Sequence, residues 1–228
     1  MEQTLGMLMQ KQKQQISVTE SLTISKRLLM KHPNRILKEF KKLHRLYNEG
    51  AIFTSIDTET TTSSSKTGRI IEIGAVQFSK DGVISKWHHL FNPHCEIPDF
   101  ITELTHITNE MVYSCPYVED YIADFKEYIG KTILIAHNAQ FDLNFLNMEC
   151  EKASITPTTN NTIDTLQFSR WAFPDFESHK LAFLANQLQI DKGNSHRALD
   201  DAITCMELFK KCVEIKVKPN YVVPLQDQ

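Results

Sequence analysis

No run of apolar residues in the 228-residue chain is long enough to span a bilayer. Its N-terminus is rich in Gln and Lys and lacks the apolar core of a signal peptide. The expected setting is the cytoplasm, with no membrane association. Cysteine is sparse: the five residues at 95, 115, 150, 205 and 212 form no Cys-x-x-Cys pair, and their number is odd. This argues against a thiolate zinc site and a disulfide framework, and predicts reduced thiols. There is no internal repeat. What is present is ordinary for a soluble globular protein, with 41% hydrophobic and 23% charged residues. The length suits one medium domain with room for an appendage. The net charge of −3 conceals an asymmetry. Residues 20–48 hold eight Lys and Arg against Glu20 and Glu39, a balance of +6 that leaves −9 for the remainder. A basic arm beside an acidic core suits a polyanionic substrate, and a solvated helix face is the plainer alternative.

The run from Ala51 to Ile56 is apolar and β-branched and reads as a buried strand, and it leads into Asp57-Thr58-Glu59-Thr60. Residues i and i+2 of a strand face the same side, so Asp57 and Glu59 point together. Two carboxylates held there repel each other and lose water. A hard divalent cation such as Mg²⁺ or Mn²⁺ is the natural compensation, and a solvated turn is the alternative.

Before this strand, residues 20–49 read as helical, with Pro33 suited to a first turn and Gly50 to a stop. After it comes a Thr/Ser-rich loop, 60–68, with no apolar anchor and therefore expected to move. Strands are expected at 69–78 and 83–91, joined by the Lys80-Asp81-Gly82 turn. Two helical segments fill 101–129, the second starting near Pro116. A strand over 132–136, a helix over 139–153 and a short strand over 161–163 follow, with Asp164 capping the next helix. Helices are expected again at 180–188 and 195–213, and the tail from 216 is expected to be extended. The fold class is α/β: a mixed five-stranded sheet flanked by helices, with an N-terminal helical extension. The expected divisions are 1–50, 51–215 and 216–228.

Two further carboxylates lie on apolar helix faces. Around Asp142 the helical neighbours are Ala139, Phe145 and Leu146. The segment sits where a strand hands over to a helix, the end of an α/β sheet where ligands bind. Asp201 shares its line with Ala198, Cys205, Leu208 and Cys212. Asp200 shares its line with Thr204, Glu207 and Lys211, so Asp201 is the carboxylate turned inward and Asp200 the solvated one. His196 can serve the same site as Asp201 only from a loop or first-turn edge, because two residues five apart on a helix diverge by about 140°. Such a histidine suits a general base.

The segments Asp-Thr-Glu-Thr-Thr (57–61), His-Asn-Ala-Gln-Phe-Asp (137–142) and His-Arg-Ala-Leu-Asp-Asp-Ala (196–202) resemble the three motifs of the DEDDh 3′–5′ exonucleases. That family includes the proofreading epsilon subunit of bacterial DNA polymerase III. Residues 69–76, 101–112 and 164–170 are similar to it too, and the resemblance covers about residues 51–214. It implies a ribonuclease H-like fold and a tetrad of metal ligands, Asp57, Glu59, Asp142 and Asp201. These would hold two divalent cations, Mg²⁺ or Mn²⁺, with Asp57 bridging, and His196 would be the base. Thr58, Thr60, Leu104, Ile107, His137, Asn138 and Phe141 are the implied substrate-binding residues, with Phe141 and the 104–107 segment as candidates to stack on terminal bases or to pack in the core. One departure stands out: Thr62 occupies the place of the family's usual glycine. The implied activity is hydrolysis of single-stranded or frayed 3′ ends to nucleoside 5′-monophosphates. DNA is favoured over RNA as substrate, and a DNA polymerase subunit is a candidate partner. The alternatives are an exoribonuclease of the same family and a non-catalytic scaffold that keeps the fold. The intact tetrad argues against the scaffold.

Overall fold

A computed structural model describes residues 36–215. The expected helical start around Pro33 and the tail from 216 lie outside the described residues. Five strands form one sheet in the order β3-β2-β1-β4-β5. They are β1 (Phe53–Thr60), β2 (Ile70–Ser79), β3 (Gly82–Leu90), β4 (Ile133–Ala136) and β5 (Thr162–Asp164). β2 runs antiparallel to β1 and β3, while β4 runs parallel to β1 and β5 to β4, so the sheet is mixed, as expected. Among the described residues the helices are α1 (Phe40–Asn48), α2 (Asp99–Thr105), α3 (Asn109–Val112), α4 (Val118–Ile129), α5 (Gln140–Lys152), α6 (Thr165–Ala172), α7 (Leu181–Gln187) and α8 (Ala198–Ile215).

Strand alternation splits the core into two layers. Phe53, Val76 and Phe78 face Leu208, Phe209 and Cys212 of α8, with α1, α6 and α7 completing that side. Ile56, Ile73, Leu134 and Ala136 face Ile122 and Phe125 of α4 and Phe145 and Leu146 of α5. Each such aliphatic or aromatic side chain, once fully buried, contributes roughly 1.5–3 kcal/mol. α1 joins the first layer through Leu43 and Leu46, and the Phe40 ring stacks on Phe168 at 4.8 Å. Its Lys41, Lys42 and Arg45, with Lys38 just ahead of it, remain exposed.

Three expectations are corrected. Within the described residues, 36–39 are not helical and the helix expected over 20–49 is seen at Phe40–Asn48; ahead of it Ile36 bridges to Thr162, and the Leu37 N–H donates to the Thr162 carbonyl at 2.8 Å, covering the open edge of β5. The 101–129 region holds three helices rather than two, because His106 ends α2 at φ 58° as a left-handed cap. The 60–68 loop has no apolar anchor at its exposed tip, and it is closed by backbone hydrogen bonds. The Thr61 N–H donates to the Arg69 carbonyl at 2.9 Å, and the Gly68 N–H donates to that of Ser64 at 2.8 Å. Finally, β1 continues to Thr60, paired with Ile70 of β2, whereas its pairing with β4 stops at Ser55 and Ile135. Asp57 and Glu59 are therefore inside a strand, on a stretch that outruns its neighbour β4. That overhang, at the C-terminal ends of the parallel strands, is where the site forms.

Candidate active site

Asp57 and Glu59 share a face of β1 with Ser55 and Phe53, so they point to the α8 side. Asp142 comes from the first turn of α5 and is 2% exposed. Its Oδ1 accepts a hydrogen bond from the Thr58 hydroxyl at 2.8 Å, which ties α5 to the strand carrying the first two carboxylates. The fourth carboxylate arrives on α8. That helix starts at Ala198, leaving His196 on the preceding loop with φ 64°, the position required for it to share a site with Asp201. The His196 N–H donates to Asp201 Oδ2 at 3.0 Å. Ligand-capable atoms of Glu59, His196 and Asp201 all lie within 4.8 Å of one another.

α8 can come this close because of Gly74, the residue on β2 paired with Asp57. A Cβ there would stand 2.2 Å from the carbonyl carbon of Ala198 and from the Leu199 nitrogen. Beside it, Glu72 pairs in register with Glu59 and is fully buried. Its carboxylate accepts from His88 Nε2 at 2.6 Å, from Arg197 Nη2 at 2.7 Å and from the Ala198 N–H at 2.8 Å.

The electrostatics separate these carboxylates into two kinds. Burial, then repulsion from Asp142, Glu59 and Asp201, raises the Asp57 carboxyl well above the usual range. Burial and the charges of Asp201, Glu72 and Asp142 push Glu59 up to about 8, against a small downward pull from Arg197. Asp142 is pushed up to about 7 by burial, although the Thr58 hydroxyl pulls it down. Asp201 is raised by burial and held back by the His196 N–H. For Glu72, by contrast, burial is outweighed by His88, Arg197 and the Ala198 N–H, which hold it below the usual carboxylate range. Glu72 already has its cation. The other four carry surplus negative charge, and their hard oxygen donors, with one imidazole alongside, fit a divalent metal ion.

The remaining sequence-predicted residues fall in several places. Thr58 and Thr60 are buried, and the Thr60 hydroxyl donates to the Thr62 carbonyl at 2.7 Å. Thr62 stands where a glycine was expected, yet it does not adopt positive φ, and its hydroxyl accepts from the Ser64 N–H at 3.2 Å. The space is made instead at Gly68, where a Cβ would lie 2.6 Å from Thr62 Oγ1. Leu104 is 46% exposed on α2, but Ile107 is fully buried against Ile71, Ile97 and Ile101 and is a core residue. Phe141 is half-buried with its ring 5.1 Å from that of Phe145. His137 is occupied on both nitrogens. Its Nε2 donates to the His179 carbonyl at 2.9 Å, which leaves Nδ1 to accept from the Thr165 hydroxyl at 3.0 Å. Burial lowers it to about 4, so it is neutral and braces the 178–180 segment. Asn138 is exposed at φ 66°, its N–H donating to Asp164 Oδ1 at 3.1 Å. Asp200 is half-buried rather than solvated, because its Oδ2 accepts from the Asn194 N–H at 2.8 Å. Sequence reasoning missed Glu72 and Arg197. The available signal was a lone carboxylate inside the apolar Ile70–Ala75 run, the same signal that singled out Asp57.

The exonuclease family RNase_T matches residues 54–209. The DNA polymerase III subunit epsilon of Treponema pallidum (strain Nichols) is 38% identical over 175 residues, 76% of this chain and 81% of that protein. A DNA polymerase III of PolC type from Staphylococcus aureus (strain MW2) is 36% identical over 164 residues, which are 72% of this chain but only 11% of that protein. Among solved structures, E. coli exonuclease I in complex with a dT13 oligonucleotide superposes with a TM-score of 0.64 at 18% identity, over 72% of this chain and 41% of that one. At that identity the likeness concerns the fold, and it is the ribonuclease H-like exonuclease fold. The family match spans well over half of the sequence and takes in all three carboxylate-bearing elements, β1, α5 and α8, so the chain belongs to the exonuclease family.

Proposed function

We propose that this chain is a 3′–5′ exonuclease that removes nucleoside 5′-monophosphates from single-stranded or frayed DNA ends, using two divalent cations, Mg²⁺ or Mn²⁺. The observation that carries this reading is the convergence of Asp57, Glu59, Asp142 and Asp201 from three elements, with their charges unbalanced and an exposed histidine beside them. The exonuclease family is metal-dependent. The tetrad would hold the ions, which when bound supply Lewis-acid activation of water and neutralise charge at the phosphodiester.

The rest of the chemistry falls to the chain itself. His196 accepts the proton of the attacking water, a role suited to imidazole near neutral pH. Its loop position lets it reach the water's side of the scissile bond. The P–O bond to the 3′ oxygen breaks, that oxygen takes a proton from solvent, and the released phosphate remains on the 5′ side of the departing nucleoside. The Thr58 hydroxyl keeps Asp142 oriented, and Leu104 and Phe141 border the strand end. The names of the two polymerase III relatives favour DNA over RNA and a place beside a polymerase. The activity is assigned to residues 51–215, and the basic face of α1 in the N-terminal extension is assigned to backbone phosphate or a partner. The cytoplasm is the matching compartment.

The test is a single-stranded oligonucleotide labelled at either end. With Mg²⁺ or Mn²⁺, the 3′ label should leave as a mononucleotide from the first turnover, while a 5′ label stays on a shortening ladder. No release with either ion, or earlier release of the 5′ label, overturns the reading. The same sequence as RNA should be cut more slowly.

A further inference from the structure

Glu72 belongs to none of the three motifs, yet it is tied to the third more closely than to its own strand neighbours. Its two carboxylate oxygens take hydrogen bonds from three elements. His88 donates from β3 at 2.6 Å. The Arg197 guanidinium donates from the loop before α8 through Nη2 at 2.7 Å and through Nε at 3.1 Å. The Ala198 N–H, the first amide of α8, donates at 2.8 Å. The four N-terminal amides of a helix have no partner within it, so Glu72 caps α8 from a different strand. The Arg197 carbonyl in turn accepts from the Asp201 N–H at 2.9 Å. Arg197 is thus gripped through its side chain by Glu72 and holds Asp201 through its backbone, and the next residue back is His196. Gly74, two positions along β2, removes the one Cβ that would keep the helix from seating.

We infer that Glu72 is a positioning residue for the reaction: through Arg197 and the Ala198 amide it fixes the start of α8, and so sets where Asp201 and His196 stand relative to Asp57 and Glu59. Asp57 and Glu59 need no such device, because β1 pairs with β2 in continuous register from Phe53 to Glu59, the register shifting only after Glu59. A buried carboxylate without partners is costly, so a fully satisfied one at this spot is a committed anchor. The inference rests on the exonuclease reading for its kinetic consequence and not for its structural one, so the two are tested apart.

The experiment compares the full chain with Glu72→Gln, which keeps the shape and removes the charge that grips Arg197. The circular dichroism spectrum should remain that of a folded protein. Hydrogen exchange at residues 196–201 should be at least about tenfold faster, with β1 amides unchanged. On a single-stranded oligonucleotide with Mg²⁺, kcat should fall about 10–100-fold, the range for partners that orient metal ligands, with KM within about threefold. Arg197→Met should match it, and the double variant should lose little more than either alone, because the two residues act as one unit. A folded Glu72→Gln with wild-type kcat overturns the inference. So does a raised KM at unchanged kcat, which places Glu72 in substrate binding, and so does unchanged exchange at 196–201. Should Glu72→Gln not fold, Arg197→Lys takes its place. It keeps the charge without the planar fork, and an intermediate loss of kcat is expected, whereas full kcat overturns the inference. If the wild-type chain hydrolyses nothing, the exonuclease reading fails, while the exchange comparison still decides whether Glu72 anchors α8.

Discussion

Asp142 is 2% exposed and its carboxylate is held by a hydroxyl from the adjoining strand; His196 is exposed, at positive φ, on the loop before α8, and meets the site through its backbone N–H to Asp201. These two residues stand for the two sides of the site. On the sheet side, Asp57 and Glu59 are fixed by the β1–β2 ladder, and Asp142 by Thr58. Their carboxyls are raised because burial and neighbouring charge have no internal remedy. On the helix side, Asp201 and His196 are placed by caps and loop hydrogen bonds. On the proposed reading, the buried charge of one side would call for cations, and the exposed imidazole of the other would take the proton of the reaction. A proton acceptor must change protonation state within each turnover, whereas a metal ligand must not.

The largest effects should come from the sheet side. Asp57→Asn should lower kcat by at least about 10³-fold, beyond the loss of a single electrostatic donor, and should weaken Mn²⁺ binding measured by titration calorimetry. His196→Ala should lower kcat by about 10²–10⁴-fold, the usual weight of a general base, with Mn²⁺ affinity nearly intact. If His196→Ala weakens metal binding as much as Asp57→Asn does, the division between ligands on the sheet side and a base on the helix side collapses.

Within the helix side the comparison sharpens between two adjacent aspartates. Asp201→Asn should cost about 10²-fold or more in kcat. Asp200→Asn should cost only about three- to tenfold, since it weakens the hydrogen bond to the Asn194 amide, a matter of about 1 kcal/mol. Rates for the two variants under matched Mg²⁺ check this ordering. An equal loss would mean that the loop before His196 is as demanding as the ligand itself.

Much of this arrangement was legible in the sequence because local periodicity carries it. Strand alternation paired Asp57 with Glu59. Helical spacing turned Asp201 inward, and the same geometry required His196 to sit off the helix, which the start of α8 at Ala198 satisfies. The family resemblance joined these pieces into one site. What stayed hidden depends on contacts far apart in the chain. Glu72 and Arg197 are 125 residues apart, and nothing near either one names the other. Ile107 reads as well for a base-stacking residue as for a core one until α2 and α3 fold over Ile71. Asp200 has the spacing of a solvated residue, and the Asn194 amide that occupies it belongs to a loop with no period. His137 carries a motif position, but its two hydrogen-bond partners lie on α6 and on the segment before α7.

The smallest effect is a shift along the pH axis, and it tests the sheet side directly. Glu59 at about 8 and Asp142 at about 7 lie above the ordinary carboxyl values that the unfolded chain would show. In the metal-free protein the native state therefore binds more protons than the unfolded state between about pH 4 and 8. Stability is then greatest at the acid end of that window and falls as pH rises through the folded values. Thermal unfolding of the metal-free chain should show a Tm that drops by several degrees from pH 5 to pH 8, and saturating Mg²⁺ should restore it at pH 8, because the cations take the place of the protons. Thr58→Val removes the hydroxyl that pulls Asp142 down, so Asp142 should rise further and the falling limb of the metal-free Tm profile should extend to higher pH. Asp200→Asn, on the other side, should leave that limb in place. A Tm that climbs from pH 5 to pH 8 without metal would mean that the sheet-side carboxylates are already compensated within the protein, and the site's need for cations would lose its physical basis.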